Sequence, residues 1–94
     1  MASPKTTTEI DIHVGRKLKN LRRMRELSQT ELGRAANVSF QQIQKYEGGM
    51  NRISVGRLWG FCELFNVSPT YFFEGYDTAA PVKEHSQPLA ARSR

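Results

Sequence analysis

Residues 27–49 read Leu-Ser-Gln-Thr-Glu-Leu-Gly-Arg-Ala-Ala-Asn-Val-Ser-Phe-Gln-Gln-Ile-Gln-Lys-Tyr-Glu-Gly-Gly, and they write the same helix-opening device twice. In the first copy Ser28 stands where its hydroxyl can cap the amide of Glu31. The Glu31 side chain can return to the amide of Ser28, and Leu27 can staple onto Leu32. The second copy sets Ser39 against Gln42 and Val38 against Ile43. Only Asn37 and its immediate neighbours separate the two helices, and asparagine tolerates the left-handed backbone that a sharp corner needs. Gly48-Gly49 is a strong stop for the second helix.

Toward the N-terminus, Val14, Leu18, Leu21 and Met24 recur at three- and four-residue spacing, which predicts a first helix from about Asp11, its cap, with one apolar face. Residues 1–8 have no apolar period and are expected to form a flexible arm. The second helix, from Ser28 to about Ala36, is expected to bury Leu32 and Ala35, with Gly33 allowing another helix to approach closely. After the loop Met50–Ile53, Ser54 caps a fourth helix to about Phe65, whose stripe is Val55, Leu58, Phe61, Cys62 and Phe65. Ser68 and Pro69 open a fifth helix, with Val67 positioned to staple onto Phe72, and Gly75 ends it. Residues 76–94 turn to Ala, Pro, Ser and mixed charge and are expected to be a disordered tail. The expected architecture is all-α, a compact five-helix domain over residues 9–75.

The 94 residues hold fourteen Lys and Arg against nine Asp and Glu, a net charge of +5. Seven of the cations and three of the acids precede residue 28. Arg16, Lys17, Lys19, Arg22, Arg23 and Arg25 form a run without an acid, which points to a polyanionic partner or to a solvated helix face. No long apolar stretch or leader is present, so a membrane is not expected and the chain is placed in the cytoplasm. Cys62, the only cysteine, belongs to an apolar stripe and has no base nearby in sequence. No Cys or His cluster has metal-ligand spacing, and no nucleophile, base and orienting group cluster in one region. Metal, cofactor, small-molecule ligand and enzymatic activity are therefore not expected.

Two helices joined at a corner of about three to four residues form a helix-turn-helix, whose second helix enters the DNA major groove. Leu27–Leu32, Val38-Ser39, Ile43–Gly48 and Leu64–Ser68, in this order, resemble the XRE-type, lambda repressor-like helix-turn-helix family. Phe40–Glu47 with the later Asn51-Arg52 is similar to one bacterial subgroup of small regulators. The resemblance implies a five-helix domain that binds operator DNA as a dimer. It places Gln29 on a phosphate with Ser28 beside it, turns Ser39, Phe40, Gln41 and Lys45 toward the groove with Gln44 on the flank, and makes Arg22 and Glu47 an internal ion pair. Gly33 stands at a usual alanine position and Asn37 at a usual glycine, a departure that would loosen the second helix by roughly 0.5 to 1 kcal/mol.

On their own chemistry, Gln41 and Gln44 match the donor and acceptor edge of adenine. Phe40 either meets a thymine methyl or folds back beside Ala36. Lys45, Asn51 and Arg52 are phosphate or base-edge donors. Arg22 and Glu47 are either a buried pair or two unrelated surface charges. Tyr71, Phe72 and Phe73 are dimer candidates, because a short helix cannot bury all three. His13 and His85 are expected on the surface. The expected function is a sequence-specific regulator, a repressor, that binds an inverted repeat of double-stranded DNA as a homodimer. The alternative is an antitoxin or protein-interaction module whose DNA binding is autoregulatory.

Overall fold

Serine and threonine hydroxyls set the helix starts. The computed structural model describes residues 7–76. It contains α1 (Glu9–Met24), α2 (Gln29–Ala36), α3 (Phe40–Glu47), α4 (Val55–Phe65) and a terminal 3₁₀ helix (Pro69–Phe73), with no strand among the described residues. Ser28, Ser39 and Ser54 accept the amides of Glu31, Gln42 and Arg57 at 3.0, 3.1 and 3.1 Å. At α2 the box closes, because Glu31 Oε1 accepts the Ser28 amide at 2.8 Å. At α3 only the serine half is made.

Three of the four connections use one corner. Asn37 and Asn66 both sit in the left-handed region, with φ of 60° and 58°. Each is followed by Val and then a capping Ser, so Asn37-Val38-Ser39 recurs as Asn66-Val67-Ser68. The valine amide returns to a carbonyl five residues back, Val38 to Gly33 at 2.8 Å and Val67 to Cys62 at 3.0 Å, which satisfies the open end of each helix. The first corner, Glu26-Leu27-Ser28, is the same shape: Glu26 has φ 60° and Leu27 N donates to Arg22 O at 3.1 Å. These corners swing α2, α3 and α4 around one core in which Leu18, Leu32, Ile43, Phe61 and Phe72 are fully buried.

Two glycines set the spacing. A Cβ on Gly15 would lie 2.0 Å from the carbonyl oxygen of Tyr46, so α1 rests directly on the end of α3. A Cβ on Gly33 would lie 2.4 Å from Val38 O. The close neighbour at Gly33 is therefore the corner itself and not another helix, and an alanine there would push the corner open.

Several sequence expectations are corrected. α1 starts at Glu9 with Thr8 as its cap, and Asp11 completes that capping box from inside the helix. Met24, the last residue of α1, is 64% exposed, although Leu21 and Arg22 in the same turn are buried. Ala35 is exposed and Val55 is 85% exposed, so neither belongs to the apolar face assigned to it. The fifth helix is 3₁₀: Pro69 opens it and Gly75 follows so soon that Tyr71 N bonds Ser68 O, three residues back, at 3.0 Å. Thr8 and Tyr76 belong to the folded part, Thr8 as a cap and Tyr76 edge-on to the His13 ring at 5.4 Å. The remainder of the expected arm (1–6) and of the tail (77–94), His85 included, lies outside the described residues.

Candidate nucleic-acid interface

α3 divides cleanly along its length. Ile43, Tyr46 and Glu47 are buried, whereas Phe40, Gln41, Gln44 and Lys45 are exposed, as is the capping Ser39. The exposed four recur at one- and four-residue spacing and so share one face. Phe40 is 42% exposed, a large apolar ring left in water at the helix start. That face carries Lys45 and no carboxylate, for the single acid of α3, Glu47, points inward.

The interior side of α3 holds a charged network. Arg22 Nε lies 2.7 Å from Glu47 Oε2 and Arg22 Nη2 3.1 Å from Oε1. Arg22 Nη1 donates to Leu27 O at 2.7 Å, and Gln29 Nε2 donates to Glu47 Oε1 at 3.0 Å. One guanidinium therefore joins α1, the corner before α2 and the last turn of α3, and among the described residues no buried side-chain nitrogen or oxygen lacks a partner. Gln29, at the first position of α2 with Ser28 exposed beside it, is tied by its amide nitrogen to this network.

The loop after α3 rests on the start of α1. Met50 N and Asn51 N donate to Lys45 O at 2.9 and 3.3 Å, and Thr7 Oγ1 donates to Gly49 O at 2.7 Å. Arg52 Nε lies 3.2 Å from Asp11 Oδ2, with the arginine side chain 52% exposed. Burial raises the Asp11 pKa, but hydrogen bonds from the Thr8 amide and hydroxyl and the charge of Arg52 outweigh it, so the carboxyl sits below its ordinary 3.8. Asn51 is exposed.

The three consecutive aromatics separate. Phe72 is fully buried and is withdrawn as a dimer candidate: the 3₁₀ turn aims it at the core. Tyr71 is also used internally, its hydroxyl donating to Lys17 O at 3.2 Å and its ring lying under Lys17 Nζ at 4.2 Å. Burial, and secondly the Glu74 charge, push its phenol above the ordinary 10.0. Phe73 is the outward ring, 46% exposed. The basic run splits as well. Arg22 is buried, Arg25 donates to Phe65 O at 2.8 Å and Lys17 covers Tyr71, which leaves Arg16, Lys19 and Arg23 as one exposed stripe.

Apart from Arg22–Glu47, three contacts between distant segments are not expected from the sequence. His13 Nε2 pairs with Glu74 O at 2.8 Å, Arg57 Nη1 donates to Ala36 O at 3.0 Å, and Asp11 meets Arg52. The one available hint is Arg57, the lone cation of a helix whose only other charged residue is Glu63. Among the described residues no helix is long and apolar enough to cross a membrane, and no cluster of His, Cys, Asp or Glu could hold a metal ion.

The comparisons with known proteins agree with this geometry. A helix-turn-helix family model matches residues 18–72. An uncharacterized HTH-type transcriptional regulator of Sinorhizobium fredii is 49% identical over 65 residues, covering 69% of this chain and 46% of that protein. The chain spans about half the length of the curated relatives it matches. An HTH_3 family transcriptional regulator from Vibrio cholerae superposes with a TM-score of 0.63 at 26% identity, over 70% of this chain and 38% of that one. The restriction-modification controller protein C.AhdI from Aeromonas hydrophila shares the fold, with a TM-score of 0.62 at 21% identity over 66% of this chain and 94% of that one. With α2, the Asn37 corner and α3 all inside the matched segment, the chain belongs to the helix-turn-helix family.

Proposed function

We propose that this chain is a sequence-specific regulator that reads double-stranded DNA by laying α3 in the major groove. One observation carries the reading: α3 presents Phe40, Gln41, Gln44 and Lys45 on a single exposed face while its only carboxylate is sunk onto Arg22. Such a face suits base edges, with glutamine amides for adenine, the Phe40 ring for a thymine methyl and Lys45 for guanine or phosphate. Ser28, Gln29 and the opening amides of α2 hold one phosphate, where the helix dipole favours it. Asn51 and Arg52 follow the backbone beyond α3, with Arg52 steadied by Asp11. The protein acts as a homodimer on an inverted repeat, represses by occupying promoter DNA, works in the cytoplasm and is not an enzyme. The names of its relatives as transcriptional regulators support the reading.

Selection of binding sites from random duplex DNA tests it. The expected winner is a palindrome with half-sites one helical turn apart, and affinity for it falls steeply with salt. Recovery of unrelated sequences with no enriched motif overturns the reading.

A further inference from the structure

α4 is apolar almost all the way round, yet the domain covers only half of it. Phe61, Cys62 and Phe65 are buried. The opposite side carries Gly56, Trp59, Gly60, Glu63 and Leu64, all exposed, with Glu63 as its only ionised group, and Val55 lies exposed at the rim of a cleft it shares with Ile10, Val14 and Phe73. Val55, Trp59 and Leu64 are 85%, 56% and 41% exposed. The single cation of the helix, Arg57, is turned onto Ala36 O. A helix face that meets only water ordinarily carries charged residues, and a helix apolar on every side is ordinarily covered on every side. The glycines say the same. A Cβ on Gly56 or Gly60 would meet nothing within 4 Å, so the chain's own packing gives no reason for two helix-weakening glycines one turn apart.

We propose that this face of α4 docks a second copy of the chain, the two α4 helices packing antiparallel about a two-fold axis beside Trp59 and Gly60. It rests on the homodimer of the reading above and gives it a surface. Two-fold contacts must be self-complementary, and this face is: the bare Gly56 and Gly60 let the backbones close in, while Trp59 and Leu64 supply the apolar area. Charge selects the antiparallel sense. Aligned about Trp59 and Gly60, each Glu63 comes opposite Gly56 of the other copy, in a first helical turn that holds no acid and has a positive dipole end. A parallel pairing would set the two Glu63 carboxylates together. Eleven residues give a helix of about 16 Å, so the contact falls below the roughly 800 Å² per partner of a standard interface and the dimer depends on concentration.

Sedimentation velocity on the full 94-residue chain, paired with titration of a duplex holding one half-site, tests the surface. The wild-type chain is expected to pass from monomer to dimer with rising concentration. Trp59→Ser and Gly60→Leu are each expected to weaken association by at least about tenfold. Gly60→Leu is expected to raise the melting temperature at the same time, because the position is open and leucine is the better helix former. Half-site binding stays unchanged in both, and Phe73→Ser leaves the dimer intact. A wild-type chain that stays monomeric at high concentration, variants that associate as tightly as wild type, or a dimer lost with Phe73→Ser instead, overturns the proposal. A dimer that behaves as expected beside absent half-site binding supports the surface and rejects the DNA-reading function.

Discussion

Arg22 Nε lies 2.7 Å from Glu47 Oε2, with the two side chains 11% and 3% exposed. The pair spans the distance from α1 to the last turn of α3, so the helix that carries the exposed glutamines is fastened at the end away from its cap. A pair this deeply buried gains its worth from being complete, since either charge alone would be left in the interior. Arg22→Ala is expected to lose about 3 to 5 kcal/mol in urea unfolding. Gln29→Ala, which removes one bond to the same carboxylate, is expected to lose about 1.5 to 3 kcal/mol. Equal, small losses from both would place the pair among ordinary surface contacts.

Glu26 occupies a left-handed corner position, φ 60°, that Asn37 and Asn66 fill elsewhere in the chain. For an L residue without a short polar side chain that backbone costs about 1 to 2 kcal/mol. Glu26→Gly is expected to raise stability by roughly 1 kcal/mol, a gain of about 4 to 8 °C in Tm for a domain of this size. An unchanged or lower Tm would show that the corner is unstrained.

The glycines are expected to divide by neighbour. Gly15→Ala and Gly33→Ala put a methyl against the backbone oxygens of Tyr46 and Val38, and overpacking of this kind costs about 1 to 3 kcal/mol. Gly60→Ala, in open space, is expected to stabilise by up to about 1 kcal/mol. Thermal melts of the three variants check the opposite signs.

Much of this architecture is legible in the sequence because its determinants are local. Ser28, Ser39, Ser54 and Ser68 announce helix starts within four residues of the amides they cap, and Asn37 announces its corner. Residues that answer to distant parts are not legible in this way. Val55 has the spacing of a core residue but stays exposed, at the rim of a cleft that it lines with Ile10, Val14, Ile53 and Phe73 and that these neighbours do not close. Phe72 and Phe73 are alike in chemistry, and only the tighter 3₁₀ turn decides which enters the core. At the site, the exposed face of α3 follows from period and cap. That Gln29 is held by Glu47, or Arg52 by Asp11, depends on how α1, α2 and the loop after α3 are brought together.

Acid is expected to act through Asp11. Its pKa in the folded chain is depressed below the ordinary 3.8, so the stability it contributes is fully present above that value and is lost as pH falls through the folded value. Asp11→Asn is expected to flatten the stability profile below about pH 4 in pH-dependent melts. A profile identical to wild type would assign the acid sensitivity to other carboxylates.

Phe40 is exposed where α3 begins. Phe40→Ala is expected to leave the melting temperature within a few degrees of wild type while reducing discrimination at one base pair by about 1 to 3 kcal/mol. Loss of thermal stability with uniformly weaker DNA binding would assign the ring to packing.

The most direct measurement is equilibrium titration of the selected duplex, and of point-mutated copies of it, with wild-type chain, Gln41→Ala and Lys45→Ala at several salt concentrations. Gln41→Ala is expected to lose about 1 to 3 kcal/mol on the selected duplex and to become indifferent to one base pair. Lys45→Ala is expected to bind that duplex more weakly as well. Equal, weak binding of every duplex by all three proteins would contradict the placement of α3 in the groove.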